Sequence, residues 1–456
     1  MATRHNPRPN RSHRELPQST LPEFIPGKLL LKIRPEVLRG QAANPHTVLA
    51  SGGLAPASAS LHESLRYLLD NAGLKPDSIT SLFVAQQPEQ GIGQLSRAPM
   101  ALATTAREAS AADDSLRGIS LLHVDHRKLT PTLLKKLRQD DRFEYVEQAP
   151  ARWLTAARPS AAPAIDAEWN AQWGLRAIRW FQASIPNAES IGVAVLDTGL
   201  DLNHPDFANV PIDYETFQFT KSDQFGHGTH VTGIIGALPN NDAGSAGVCR
   251  CHLHVFKVFG DEMLAGRPVV DPEAYNAALG ACLVNDKIRV LNLSLAGTAS
   301  SETEKRVFQA LQKRGKLVVA AMGNEFTRGN PVEYPAAYDG IVAVGAIDAA
   351  GHRAEFSNTG PHISLVAPGS SILSTLPTQS NAARAKTNYA AWDGTSMATP
   401  HVAAAAALLF AKSPNLSGSQ ARKKLLAGTR RLTTMPKKGH SPEFGSGLLD
   451  LAKLLQ

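Results

Sequence analysis

The sequence predicts an α/β protein: a doubly wound, mostly parallel sheet preceded by a small ferredoxin-like α+β domain. Three observations carry this expectation. Beyond residue 165, near-continuous apolar runs such as IGVAVLD, RVLNLSL and KLVVAAM alternate with helical stretches, the pattern of a parallel sheet covered on both faces. Before residue 150, two β-α-β units follow one another, and such a pair folds as four strands with two helices on one face. Between these regions lies QAPARWLTAARPSAAPAIDAEWNAQWG, whose Ala- and Pro-rich middle reads as an extended linker.

Taken in order, residues 1–23 are polar and Pro-rich and read as a disordered tail, with no apolar core of the kind a secretory signal needs. The small domain covers 24–150. KLLLKIRP and ITSLFVA are its first two strands, around a helix in LHESLRYLLDNAG. GISLLHVDH and FEYVEQ are the second pair, around TPTLLKKLRQ, where Thr130 caps the helix and Pro131 opens its first turn. An insertion near 86–117 separates the halves. The linker spans 151–164, and the large domain 165–456 alternates IGVAVLD, THVTGIIGAL, LHVFKVF, PEAYNAALGACLV, RVLNLSL, EKRVFQALQKRG, KLVVAAM and GIVAVGAID.

Composition narrows the function. A hydrophobic share of 43% with 19% charged residues is ordinary for a globular protein. The 47 Lys and Arg against 40 Asp and Glu leave a charge of +7 that is spread along the chain, with no basic stretch interleaved with aromatics, so nucleic acid is not expected as a partner. No apolar run approaches the roughly 20 residues that cross a bilayer, so no membrane partner is expected either. Three Cys make no disulfide framework, and the expected location is cytoplasmic unless the chain leaves by a route without a signal. In CRCHLHV, Cys249 and Cys251 would share one face of a strand and His252 and His254 the other, which argues against a four-residue metal site.

Four residues stand in settings suited to acyl transfer. Asp197 closes an apolar strand in VAVLDTG, where functional groups of open α/β sheets gather. His227 lies between glycines at the start of a helix in GHGTHVTGII, with His230 a competing candidate that is better placed for packing. Ser396 lies in GTSMATPHVAAAAALL, where either a helix cap or a nucleophile facing the helix dipole fits. Asn324, just past the strand of KLVVAAMGNE, can donate to an oxyanion together with the Ser396 backbone N–H. Hydroxyl, imidazole and carboxylate together are what acyl transfer needs, and the amide adds a donor for the oxyanion.

With these segments in view, residues from about 165 onward resemble the subtilisin-like serine peptidases. DTGLDLNHPDF, GHGTHVTGII, VLNLSLAG, AAMGNE, FSNTGPHISLVAPGSSILST, GTSMATPHVAAAAALL and GSGLLDL carry the resemblance. The chain order Asp, His, Ser is the one known for subtilisin. The resemblance implies a serine endopeptidase with Asp197, His227 and Ser396 as its triad, Asn324 at the oxyanion and no cofactor for the chemistry. It also implies polypeptide substrates and an N-terminal domain that acts as an intramolecular inhibitor until it is cut. A catalytically silent peptide-binding protein of the same fold is the alternative.

The same resemblance sets finer expectations. Ser294, Leu295, Ala296 and Gly297 should pair with an extended peptide by strand addition. Glu333 stands at the wall of the first pocket, where it either favours Lys or Arg at the cleaved position or only narrows the pocket. A match to the family's propeptide end puts the cut near Leu154 or Thr155, a basic preference would put it at Arg152, and Arg158 is disfavoured by Pro159. A structural calcium ion would use Asp206 and Asp242.

Overall fold

The computed structural model describes residues 21–35, 37, 65–66, 69–70, 73–83, 114–155, 158–159, 172–218, 220–239, 244–378, 388–435 and 439–456. The expected N-terminal tail and the expected insertion near 86–117 fall mostly outside these residues. Four strands, β1 (Phe24–Ile33), β2 (Ser78–Ser81), β3 (Ile119–His123) and β4 (Phe143–Pro150), form an antiparallel sheet in the order β2-β3-β1-β4, the ferredoxin-like order. Helix α1 (Pro131–Arg138) covers it. Thr130 caps that helix by accepting from the Leu133 N–H at 3.2 Å, and Pro131 takes the first turn, where a missing N–H costs nothing.

Period-two alternation in β1 explains how this sheet is sandwiched. Leu29 and Leu31 point into a local core with Leu65, Leu69, Leu134 and Leu137, while Leu30 points the other way, into the core of the large domain. The small domain therefore has a core of its own and also covers apolar surface of its neighbour.

Two dipeptides of the stretch expected as a linker are built into sheets. Strand β5 (Trp153–Leu154) lies in a four-stranded sheet and β6 (Arg158–Pro159) in a three-stranded one. Main-chain pairing, invisible to composition, is what turns an extended segment into a strand.

The large domain is organised on a nine-stranded sheet. Its strands are β7 (Ala188–Asp197), β8 (Ile212–Thr216), β9 (Cys251–Lys257), β12 (Ile288–Leu293), β14 (Leu317–Ala321), β15 (Val342–Ile347), β16 (Leu365–Pro368), β19 (Thr429–Arg430) and β20 (Leu448–Leu449). All pairs are parallel except β19 with β20. Helices α2 (His227–Gly236) and α5 (Thr395–Lys412) cover one face, and α3 (Pro272–Val284) and α4 (Glu302–Lys313) the other. In β7 the alternation is direct: Val193 and Val195 face α2 and α5, while Ala194 and Leu196 face α3 and α4. The run Ala403–Ala407 is wholly buried, its small side chains letting α5 lie close against the sheet, and Leu408 and Phe410 each add about 2 kcal/mol of burial.

The remaining strands serve the cleft. β10 (Phe259–Leu264), β11 (Arg267–Val270) and β13 (Leu295–Ala296) join β5 in the order β10-β11-β5-β13, and β17 (Ile372–Thr375) with β18 (Tyr389–Asp393) joins β6. Among the described residues no helix is long and apolar enough to cross a membrane.

Candidate active site

Asp197 ends β7 and His227 begins α2, so a strand terminus and a helix terminus bring them together. His227 Nδ1 donates to Asp197 Oδ1 at 2.7 Å, and Oδ1 also accepts from the Thr198 N–H at 2.7 Å. Both side chains are buried. Because a carboxylate only accepts, this bond places the ring proton on Nδ1 and leaves Nε2 of the neutral ring as an acceptor. Nε2 is itself buried, with no hydrogen-bond partner among the described residues.

Two supports hold this pair, and the first of them, Asp223, was not read from the sequence. Asp223 accepts from Thr198 Oγ1, the Gly226 N–H and the Thr229 N–H and hydroxyl, all at 2.8–2.9 Å, tying the turn after Asp197 to the start of α2. Burial pushes the Asp223 carboxyl up despite these donors. Gly228 is the second support: a side chain there would collide with the Gly199 carbonyl, so only Gly allows α2 to start against that turn. His230 is packed, stacked on Trp392 at 4.8 Å and donating through Nε2 to the Ala390 carbonyl at 3.0 Å; burial lowers it to about 3.

Ser396 is the second residue of α5, with Gly394 at the cap position, and its side chain caps nothing. Its hydroxyl donates to the Thr155 carbonyl at 3.0 Å, with the Ser294 carbonyl at 3.2 Å, and contacts the Thr155 hydroxyl. No hydrogen bond joins Ser396 to His227 in this arrangement. Asn324 follows β14, and its Oδ1 accepts from the Thr395 N–H at 2.9 Å and the Thr395 hydroxyl at 2.8 Å. Those two donors identify the oxygen and so turn the amide N–H₂ away from Thr395. That group lies over Gly394, beside the helix end that carries Ser396.

The segment 151–155 fills the groove beside Ser396. In β5, Trp153 pairs with Val269 on one side and Ala296 on the other, and Leu154 pairs with Leu295, all antiparallel. Leu295 and Ala296 thus form the edge foreseen for strand addition. Ser294 lies beside Ser396, its hydroxyl donating to the Ser396 carbonyl at 3.0 Å. Gly297 bridges to Tyr334, and a side chain on it would meet the Ala151 carbonyl.

Of the three residues considered for a cut, Thr155 reaches Ser396 and Leu154 precedes it. Arg152 lies three residues further back with its side chain on Glu304. In this register the residue that meets Ser396 is Thr155, and Arg152 does not. The side chain of Arg158 lies outside the described residues.

Glu333 is fully buried. Asn358 Nδ2 donates to its Oε2 at 3.2 Å, and its carboxyl covers Gly323 so closely that a side chain at 323 would overlap it. Burial, with the nearby Glu325 charge, raises it to about 8. Asp206 is ringed by donors: the Ser245 hydroxyl to Oδ2 at 2.9 Å and the Tyr389 hydroxyl to Oδ1 at 3.2 Å. Asp242 lies outside the described residues. Cys249 and Cys251 are buried with their sulfurs 3.0 Å apart, while His252 and His254 stack on each other and both meet Asp213 at 3.1 Å, so the four do not converge.

The family model described as the Subtilase family (Peptidase_S8) matches residues 188–447, more than half of the chain. Subtilisin DY of Bacillus licheniformis is 34% identical over 281 residues, covering 60% of this chain and 94% of that protein. The major intracellular serine protease of Bacillus subtilis (strain 168) is 40% identical over 232 residues, covering 48% and 68%. Among solved structures, fervidolysin from Fervidobacterium pennivorans, a keratinolytic enzyme related to subtilisin, aligns with a TM-score of 0.66 and 22% identity. That alignment covers 97% of this chain and 65% of the fervidolysin chain, and it speaks for the fold alone. Sheet, helix order and family match agree over the same residues, and the chain belongs to the subtilase family.

Proposed function

We propose that this serine endopeptidase works through Asp197, His227 and Ser396, with Asn324 at the oxyanion, and that it is made as a zymogen whose N-terminal domain blocks the cleft. The observation that carries this reading is the Thr155 carbonyl held at the Ser396 hydroxyl by a strand paired on both sides. An extended peptide with a carbonyl at a buried serine is the geometry of a substrate or inhibitor in place.

For cleavage, the Ser396 hydroxyl turns from its two carbonyl acceptors toward His227. Its oxygen attacks the Thr155 carbonyl carbon while the proton passes to His227 Nε2, whose cationic ring Asp197 stabilises. Negative charge developing on the carbonyl oxygen meets the Ser396 backbone N–H and the Asn324 amide. The tetrahedral species collapses by expelling the Ala156 amine, which takes the proton from His227. Water, giving its proton to His227 in turn, then frees the Thr155 carboxylate and restores Ser396.

The inhibitory role rests on how the small domain is attached. Besides β5, Glu147 of β4 accepts from the Ser301 hydroxyl at 2.9 Å and from the Glu302 and Thr303 N–H groups at 2.8 and 3.1 Å, capping α4 from outside. Arg306 of α4 answers with Glu144 at 2.7 Å.

No cofactor enters the chemistry. Asp206 is read as an anchor for the Ser245 and Tyr389 hydroxyls, and Asp242, the other residue expected at a calcium ion, lies outside the described residues. Glu333, raised by burial, is read as narrowing the first pocket. Mostly protonated at neutral pH on that account, it is a weak anion for a basic side chain.

Intact mass and N-terminal sequencing of the wild type beside Ser396→Ala test the proposal. Loss of residues 1–155 by the wild type alone, with Ala156 as the new N-terminus, is the expected result. Two full-length proteins that also fail to react with a fluorophosphonate would overturn it.

A further inference from the structure

If cleavage follows Thr155, the register of β5 assigns every residue before it a place on the enzyme, and one of those places is unusual. Side chains alternate along a strand, so Thr155 and Trp153 share one face and Leu154 and Arg152 the other. Arg152 is the fourth residue back from the bond, counting Thr155 as the first. It is 1% exposed, a rare state for arginine, and its guanidinium sits at the start of α4.

The contact there is a fork. Arg152 Nε donates to Glu304 Oε1 at 3.0 Å and Nη2 to Oε2 at 2.5 Å, while Nη1 donates to the Ala151 carbonyl at 3.2 Å. Glu304 is itself nearly inaccessible. The Tyr338 hydroxyl donates to Oε2 at 2.9 Å and accepts from the Ser301 N–H at 2.7 Å, so the carboxylate is held in place from behind. Tyr275 lines the same cavity. Glu304, Tyr338 and Tyr275 all belong to the large domain, so the pocket's polar walls stay behind when the segment 151–155 leaves.

We infer that Glu304, steadied by Tyr338, forms a substrate subsite that selects arginine at the fourth position before the scissile bond. The inference rests on the reading of Thr155 as the residue at that bond. A planar guanidinium satisfies both carboxylate oxygens at once, whereas the single ammonium of lysine cannot match that fork, so arginine exceeds lysine. A neutral side chain of equal size leaves a buried carboxylate unpaired, and rejection of such analogues is steep.

The test uses the purified protein, with active sites counted by a labelled fluorophosphonate. Two chromogenic anilides are compared, acetyl-Arg-Trp-Leu-Thr and the same peptide with citrulline for arginine, which keeps the shape and removes the charge. The expected result is a kcat/KM about 100-fold higher for the arginine peptide, and a ratio that falls toward one in Glu304→Gln. Equal cleavage of the two peptides by the wild type would overturn the subsite without needing any variant. So would an undiminished ratio in a folded Glu304→Gln protein, while Ser396 labelling and cleavage of the citrulline peptide would leave the endopeptidase reading standing. Absence of both labelling and cleavage would overturn the two together.

Discussion

The Ser396 hydroxyl donates to the main-chain carbonyl of Thr155, across 241 residues of sequence, at 3.0 Å. The proposed nucleophile is therefore occupied by the chain's own backbone, and the imidazole proposed to activate it keeps its Nε2 buried and unbonded among the described residues. This pairing orders the consequences that follow.

Removing the Asn324 amide should lower turnover far more than binding. In Asn324→Ala, kcat should fall by about 10² to 10³, the scale seen when such a donor is removed from subtilisin itself, with KM within a few-fold. Steady-state kinetics on a peptide anilide check this. A rise in KM with kcat unchanged would place Asn324 outside the oxyanion site.

Stability should fall as pH rises because of Glu333. Its carboxyl is raised to about 8 in the folded protein against 4.5 ordinarily, so between those values the folded state holds a proton the unfolded state has lost. The stabilisation is complete below pH 4.5 and disappears as pH climbs through 8, at up to about 1.4 kcal/mol per pH unit. Urea midpoints at pH 5, 6.5 and 8, measured on Ser396→Ala to prevent digestion, should slope downward, and Glu333→Gln should flatten the slope. Parallel slopes in the two proteins would refute the assignment.

Gly323 and Glu333 should be coupled. Gly323 has φ +100°, and a side chain there would overlap the Glu333 carboxyl. Gly323→Ala should cost at least about 3 kcal/mol, and part of that loss should return in Gly323→Ala with Glu333→Ala, the part that remains being backbone strain. Strict additivity in denaturation would show the two sites to be independent.

Glu147 should control how long the small domain stays on after it is cut. Glu147→Ala strips three acceptor contacts from the start of α4 and should weaken attachment by about 1 kcal/mol. The lag between appearance of the shortened chain and onset of peptide cleavage should shorten accordingly. An unchanged lag would mean that β5 alone sets the release.

The elements whose signal is local were legible in the sequence. Thr130 and Pro131 announce α1, the alternation of β7 follows from its apolar run, and Asp197, His227 and Asn324 lie at element ends because strand and helix boundaries are written in short motifs. What stayed hidden depends on distant pairing. Nothing near Glu304 in the sequence indicates that it meets Arg152, 152 residues away, or that Glu147 reaches across to α4. The pairing of Trp153–Leu154 and Arg158–Pro159 was hidden for the same reason, since Ala- and Pro-rich composition describes backbone extension and is silent about which edge will pair with it.

Strand β5 also has a consequence for activation. On the proposed zymogen reading, the blocking peptide, while joined to the large domain, is present at the millimolar effective concentration of a tethered ligand, whatever the dilution of the protein. A cut after Thr155 would leave the pairing of β5 in place but end the tether, and occupancy would then follow the bulk concentration of the freed domain. The same molecule, once nicked, should wake on dilution and fall quiet on concentration, until the released domain is itself digested.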